Sequence, residues 1–95
     1  MCMKYRIVYR KNFEKDYARC KRRGYDMTLL RKVVSLLAER GTLPVQYKPH
    51  KLSGKYKGCW ECHIKADWLL VWQQNDRELI LLFTNTGTHA DLFGE

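Results

Sequence analysis

Two nearly continuous apolar runs separated by a few polar residues constrain this chain most. Residues 68–73 and 78–84 are β-prone and are joined at Asn75-Asp76-Arg77. So short a connection admits only antiparallel pairing, because a parallel crossover needs a dozen residues or more. The segment 59–65 precedes them and alternates, with Trp60, Cys62 and Ile64 on one face and Glu61, His63 and Lys65 on the other. Ala66-Asp67 marks the turn between. The pattern predicts an antiparallel three-stranded meander whose apolar strands are central.

The N-terminal half switches period. Tyr5-Arg6-Ile7-Val8-Tyr9 alternates and predicts a first strand. Asn12 can cap a helix running to about Arg23, with Phe13, Tyr17 and Cys20 on one stripe and Gly24 as its stop. Asp26 can cap a second helix, with Tyr25 and Leu30 placed as a hydrophobic staple. Its stripe is Leu29, Leu30, Val33, Leu36 and Leu37, and Arg40-Gly41 ends it. The two helices predict a hairpin that lays both stripes on one sheet face, leaving the face with His63 open. Ninety-five residues suffice for one domain, spanning 1–95, with one modest core.

Residues 43–57 predict a loop, punctuated by Pro44, Pro49, Ser53 and Gly54 and charged by Lys48, His50, Lys51, Lys55 and Lys57. A basic loop of this length is more often functional than idle. The chain carries 18 Lys and Arg against 10 acidic residues, a net charge of +8. Such a surface concentrates anions, so RNA, DNA or an acidic protein segment are candidate partners; solubility alone is the plainer explanation.

His50, His63 and His89 lie at the edges of three segments, none inside an apolar run. Histidine changes charge near neutral pH, so acid–base chemistry on a polyanion competes with the reading of three solvated side chains. Cys59-Trp60-Glu61-Cys62-His63 formally matches a haem-attachment pattern. Strand alternation would send its two cysteines to opposite faces, which also argues against zinc. Cys2 and Cys20 read as ordinary small residues. No cofactor or metal site is expected. With neither a secretory h-region nor a span of 18 apolar residues in view, the expected setting is the cytoplasm, without membrane contact.

The order strand, two helices, basic loop, meander resembles the RelE/ParE superfamily of bacterial toxins. Three motifs narrow it: His50-Lys51-Leu52-Ser53-Gly54, Cys62-His63-Ile64-Lys65-Ala66-Asp67-Trp68 and Thr86-Gly87-Thr88-His89-Ala90-Asp91-Leu92-Phe93. Together they resemble the YafQ-type branch. The resemblance implies an α+β, RelE-like (microbial ribonuclease-like) fold. It implies the toxin of a type II toxin–antitoxin system, a ribosome-dependent mRNA endoribonuclease. Its partners would be mRNA, the ribosome and a cognate antitoxin, with a heterotetramer as one assembly. Carried over by motif, the catalytic positions are His50, His63, Asp67 and His89, with Trp68 and Phe93 in the same pocket. Asn85 stands where some relatives carry an arginine, which leaves Lys51, Lys55, Lys57 and Lys65 as candidates to neutralise phosphate.

The chemistry fits those residue types. Metal-free RNA cleavage uses the 2′-hydroxyl as nucleophile, so one group must take its proton and another must protonate the leaving 5′-oxygen. Cations hold the charge on the phosphorane. His89 and Asp67 are the expected proton-transfer groups, with His50 and His63 orienting or stabilising charge. A ParE-like toxin that binds a protein target, or a non-catalytic RNA-binding protein of the same fold, is the alternative.

Overall fold

The computed structural model describes residues 3–94, so Cys2 lies outside them. The elements run β1 (Arg6–Tyr9), α1 (Lys11–Arg22), α2 (Met27–Arg40), β2 (His50–Lys51), β3 (Trp60–Lys65), β4 (Trp68–Asn75), β5 (Ile80–Gly87) and α3 (His89–Phe93). The strands form one sheet in the order β1-β5-β4-β3-β2. The predicted meander is β3-β4-β5, antiparallel throughout. β1 joins it parallel to β5, Val8 opposite Leu82.

Caps set the helices. The Asp26 carboxylate accepts the Thr28 N–H at 3.1 Å and starts α2. Gly41 ends it at φ +71, its N–H returning to the Leu37 carbonyl. A side chain at Gly41 would also come within 2.5 Å of the Tyr5 hydroxyl oxygen and 2.7 Å of its ring, so this position is glycine for space as well as for φ. α1 starts at Lys11 with Arg10 in the cap position, so Asn12 falls inside the first turn and is not the cap.

Both helices pack on one sheet face, as their stripes predict. Phe13, Cys20, Leu30, Val33 and Leu37 meet Cys62, Trp68, Leu70, Trp72, Leu81 and Phe83 in the main core. Shortening a fully buried member such as Phe83 or Leu70 to alanine costs about 2–5 kcal/mol. Two stripe assignments shift: Met27, Val34 and Ala38 are buried on α2, while Leu29 and Leu36 lie at the margin.

Two expectations need correction. The segment 43–57 is not one irregular loop: it holds β2 and two short 3-10 turns, Val45–Tyr47 and Gly54–Tyr56. Nor is the second sheet face simply open. Cys59, Leu69, Val71 and Leu92 form a smaller apolar cluster there, with Leu52 and Tyr56 against it. α3 turns back over the sheet to bury Leu92, and that is what covers this face. Cys59 and Cys62 do fall in different clusters on opposite faces, and burial pushes the Cys62 thiol well above its usual range. Neither can share a ligand with the other.

Candidate active site

The second face carries the three histidines. β2 pairs with β3 so that His50 stands opposite Glu61, and opposed residues of an antiparallel pair share a face. His63 lies two residues further along the same face. The β3–β4 ladder then shifts register between His63 and Lys65, just before the turn that presents Asp67. Such irregularities re-aim side chains beside functional sites. Leu69 pairs with Gly87, which brings the start of α3 to that turn. His89 is the first residue of α3.

The rings form a row. Centroids are 6.3 Å apart for His50 and His63, 5.8 Å for His63 and His89, and 6.3 Å for His89 and Phe93. Tyr56 continues it, 5.3 Å from Phe93 and edge-on.

Hydrogen bonds fix the protons. A carboxylate only accepts, so His89 Nδ1, 2.5 Å from Asp67 Oδ1, donates to it. The His89 backbone N–H donates to the same oxygen at 2.9 Å. These two donors hold the Asp67 carboxyl below its usual range. His89 Nε2 is left for chemistry. His50 Nδ1 donates to the Lys48 carbonyl at 2.8 Å, and its Nε2 lies 3.1 Å from Glu61 Oε1. This contact is an ion pair only when the imidazole carries its second proton. His63 Nδ1 donates to the Ala66 carbonyl at 3.3 Å, and its Nε2 is 4.0 Å from Glu61 Oε1.

Glu61 is buried, 4 % exposed, and its second carboxylate oxygen has no hydrogen-bond partner. A buried charge is costly unless compensated, so the positive charge of a neighbouring imidazolium is what its site calls for. Strand alternation already put Glu61 on the His63 face; only its burial was not legible. Tyr56 and Asp91 are the other participants that the sequence did not single out. Thr88 followed three residues later by Asp91 is the spacing of a capping box, and it was the available signal for α3.

The cations divide. Lys48, His63 and Lys65 line a surface cleft of about 420 Å³. Lys55 Nζ lies 5.6 Å from the Tyr56 ring centre, beside the row. Lys57 is exposed nearby in sequence. Lys51 pairs with Trp60 in the ladder and lies over its ring, on the other face from His50. Asn85 is half-buried, its amide 3.4 Å from the Asp16 carboxylate on α1. Trp68 is not brought to the row. It is 3 % exposed in the main core, edge-on to Tyr25, with Nε1 donating to Thr86 Oγ1. The pocket position that the resemblance implies for Trp68 therefore has no open ring face, whereas Phe93 is 38 % exposed at the end of the row.

Among the described residues no group of three or more His, Cys, Asp and Glu is arranged to hold a metal, and no helix is long and apolar enough to cross a membrane. A cavity of about 460 Å³ lies away from the histidines between β1 and the helices, lined by Ile7, Tyr9, Phe13, Tyr17 and Val34 among others.

Sequence and fold comparisons converge. The family described as "Bacterial toxin of type II toxin-antitoxin system, YafQ" matches residues 5–94. The mRNA interferase toxin YafQ of Escherichia coli K12 is 38 % identical over 89 residues, 93 % of this chain and 95 % of that protein. The crystal structure of YafQ from E. coli BL21(DE3) superposes with a TM-score of 0.88 at 36 % identity, covering 95 % of this chain and 99 % of that one. The toxin in the E. coli DinJ–YafQ toxin–antitoxin complex superposes with a TM-score of 0.87 at 36 % identity, covering 97 % and 100 %. The fold and the family match define a toxin of a type II toxin–antitoxin system. Within them, this chain belongs to the YafQ family.

Proposed function

We propose that residues 1–95 are a single toxin domain that acts as an mRNA endoribonuclease on translating ribosomes in the cytoplasm, held inactive by a cognate antitoxin. The relatives named as mRNA interferases and the DinJ–YafQ complexes support the activity and the partner. The observation that carries the chemistry is the His89–Asp67 pair at one end of the histidine row. Asp67 holds the Nδ1 proton, so the neutral imidazole presents its Nε2 lone pair outward, the arrangement of a general base whose tautomer is set by a carboxylate behind it. Asp67 thus works through His89 rather than as a separate proton carrier.

His89 Nε2 takes the proton of the 2′-hydroxyl, whose oxygen attacks the adjacent phosphorus. An in-line displacement needs the acid on the far side, and the row supplies it. His50, paired with buried Glu61, lies beyond His63; in its protonated form it gives the Nε2 proton to the leaving 5′-oxygen, breaking its contact with Glu61. His63, between them, faces the phosphorane together with Lys48 and Lys65 across the shared cleft. Lys55 and Lys57 extend the cationic track, and Phe93 offers the exposed face for a base. Asn85 contributes through Asp16 rather than as a phosphate ligand. Lys51 adds charge to the surface from the opposite face.

The test uses purified protein and a programmed ribosome. Wild-type protein should give discrete breaks in the message by primer extension, and His89→Ala should give none. Uncut message with active-looking, folded wild type would end the nuclease reading in favour of a binding-only toxin.

A further inference from the structure

α3 is five residues long, far too short to persist on its own in water. It nonetheless carries both His89 and Phe93, so something outside the helix must hold it. Leu92 is buried, and Tyr56 OH donates to the Leu92 carbonyl at 3.0 Å, fixing the C-terminal end. The N-terminal end is held differently. Asp91 accepts the Thr88 N–H at 2.9 Å, while Thr88 Oγ1 accepts the Asp91 N–H at 3.0 Å. The same Asp91 carboxylate is gripped by Arg23 at the end of α1, Nη1 to Oδ2 at 2.6 Å and Nη2 to Oδ1 at 3.0 Å. This is the bidentate geometry in which an arginine pair is strongest. Arg19, one turn back on α1, adds a contact at 3.7 Å and binds Asp16 at 3.2 Å and the Thr86 carbonyl at 3.4 Å. Asp16 in turn accepts the Thr86 N–H at 3.1 Å. Gly87 makes the approach possible: a side chain there would come within 2.7 Å of Asp91 Oδ2 and 3.0 Å of Arg19 Nη2.

We propose that Arg23 and Asp91 form a clamp between the end of α1 and the catalytic tail, and that they are positioning residues for His89. The carboxylate reads two things at once, the first turn of α3 and the arginine of a helix on the far side of the sheet edge. Released from Arg23, Asp91 still caps α3, but the turn is free to pivot about Leu92. His89, two residues before Asp91, then loses its register with Asp67. The proposal rests on the endoribonuclease reading only for its kinetic consequence; the geometry of His89 is measured separately.

The experiment compares wild type with Arg23→Gln and Asp91→Asn, since Asn at 91 keeps an oxygen for the cap but not the charge. Two readouts are taken well below the melting temperature of each protein. In cleavage on ribosomes, kcat should fall about 10–100-fold, the scale of a misplacement of about 1 Å, with KM changed less than about twofold. Arg23→Lys should recover part of the loss, and the double variant should be no worse than the worse single one, because the two act as one unit. In ¹⁵N-resolved spectra of the imidazoles, wild-type His89 should carry its neutral-form proton on Nδ1, and both variants should drift toward an averaged tautomer. A merely stabilising pair would lower the melting temperature and leave kcat and the tautomer alone, which would overturn the clamp. If one variant fails to fold, the other decides. If wild type cuts no RNA yet the tautomer moves in the variants, the clamp stands and the nuclease reading falls; if the tautomer stays in both, the clamp falls whatever the activity.

Discussion

Asp67 Oδ1 receives two hydrogen bonds from one residue: the backbone N–H of His89 at 2.9 Å and its ring Nδ1 at 2.5 Å. A single oxygen thus fixes where the residue begins and which way its ring faces. An asparagine at 67 can imitate the acceptor but can equally turn its amide N–H toward Nδ1, which would stabilise the wrong tautomer. Asp67→Asn should therefore lower kcat by about 10²–10⁴-fold, the range of a general acid–base step. Single-turnover cleavage, with circular dichroism as a check on folding, measures it; wild-type kcat would show that the tautomer is irrelevant.

Acid should expose the Arg23–Asp91 pair. Arg23, then the Thr88 cap, hold the Asp91 carboxyl well below its usual range. A depressed carboxylate stabilises the fold in full above its unfolded value, about 3.9, and the contribution is lost as pH falls below it toward the folded value. The melting temperatures of wild type and Asp91→Asn should differ clearly at pH 7, and the gap should narrow steadily as pH falls below about 4. Burial raises the Asp16 carboxyl, which works in the opposite sense; the Asp91 charge adds to that rise, so Asp91→Asn lessens it without removing it. A gap independent of pH would mean that the pair is not ionic.

Much of this was legible in the sequence, and the gaps have physical causes. The meander and both helices announce themselves because each repeats its period over at least six residues. The pairing of β1 with β5 does not, since a parallel neighbour 74 positions away leaves no local mark. α3 is too short for periodicity, and only the Thr88–Asp91 spacing betrays it. The histidines were singled out from their polar surroundings and motifs; their alignment depends on β2, two residues whose charge and nearby prolines read as loop. The motif resemblance put Trp68 in the pocket, whereas its burial follows the apolar run it begins.

Electrostatics should dominate encounter with RNA. With a net charge of +8 and three to five phosphate contacts, the affinity for a single strand should fall with a log–log salt slope of about −2 to −3.5. Filter binding of a short RNA across a salt series measures the slope; a flat response would remove the cationic track from the account.

Toxicity should be suppressed in trans. Expression of this chain alone should arrest growth, and co-expression with the neighbouring reading frame should restore it and yield a co-purifying complex, possible inhibitors being acidic segments that fold on docking. Carboxylates on such a partner would speed association with the basic surface. Unimpaired growth with the chain alone at high level would contradict the toxin assignment. An Asn85→Arg variant should gain no toxicity, since Asp16 stands ready to pair with the new arginine.

The most direct measurement is the chemistry of the cut ends. RNA cleaved on programmed ribosomes, then freed and analysed by mass spectrometry, should end in a 2′,3′-cyclic phosphate or its 3′-phosphate product, with a 5′-hydroxyl on the other fragment. The yield should not depend on divalent metal beyond what the ribosome itself needs. Fragments ending in a 3′-hydroxyl and a 5′-phosphate would contradict attack by the 2′-hydroxyl, and with it the role assigned to His89.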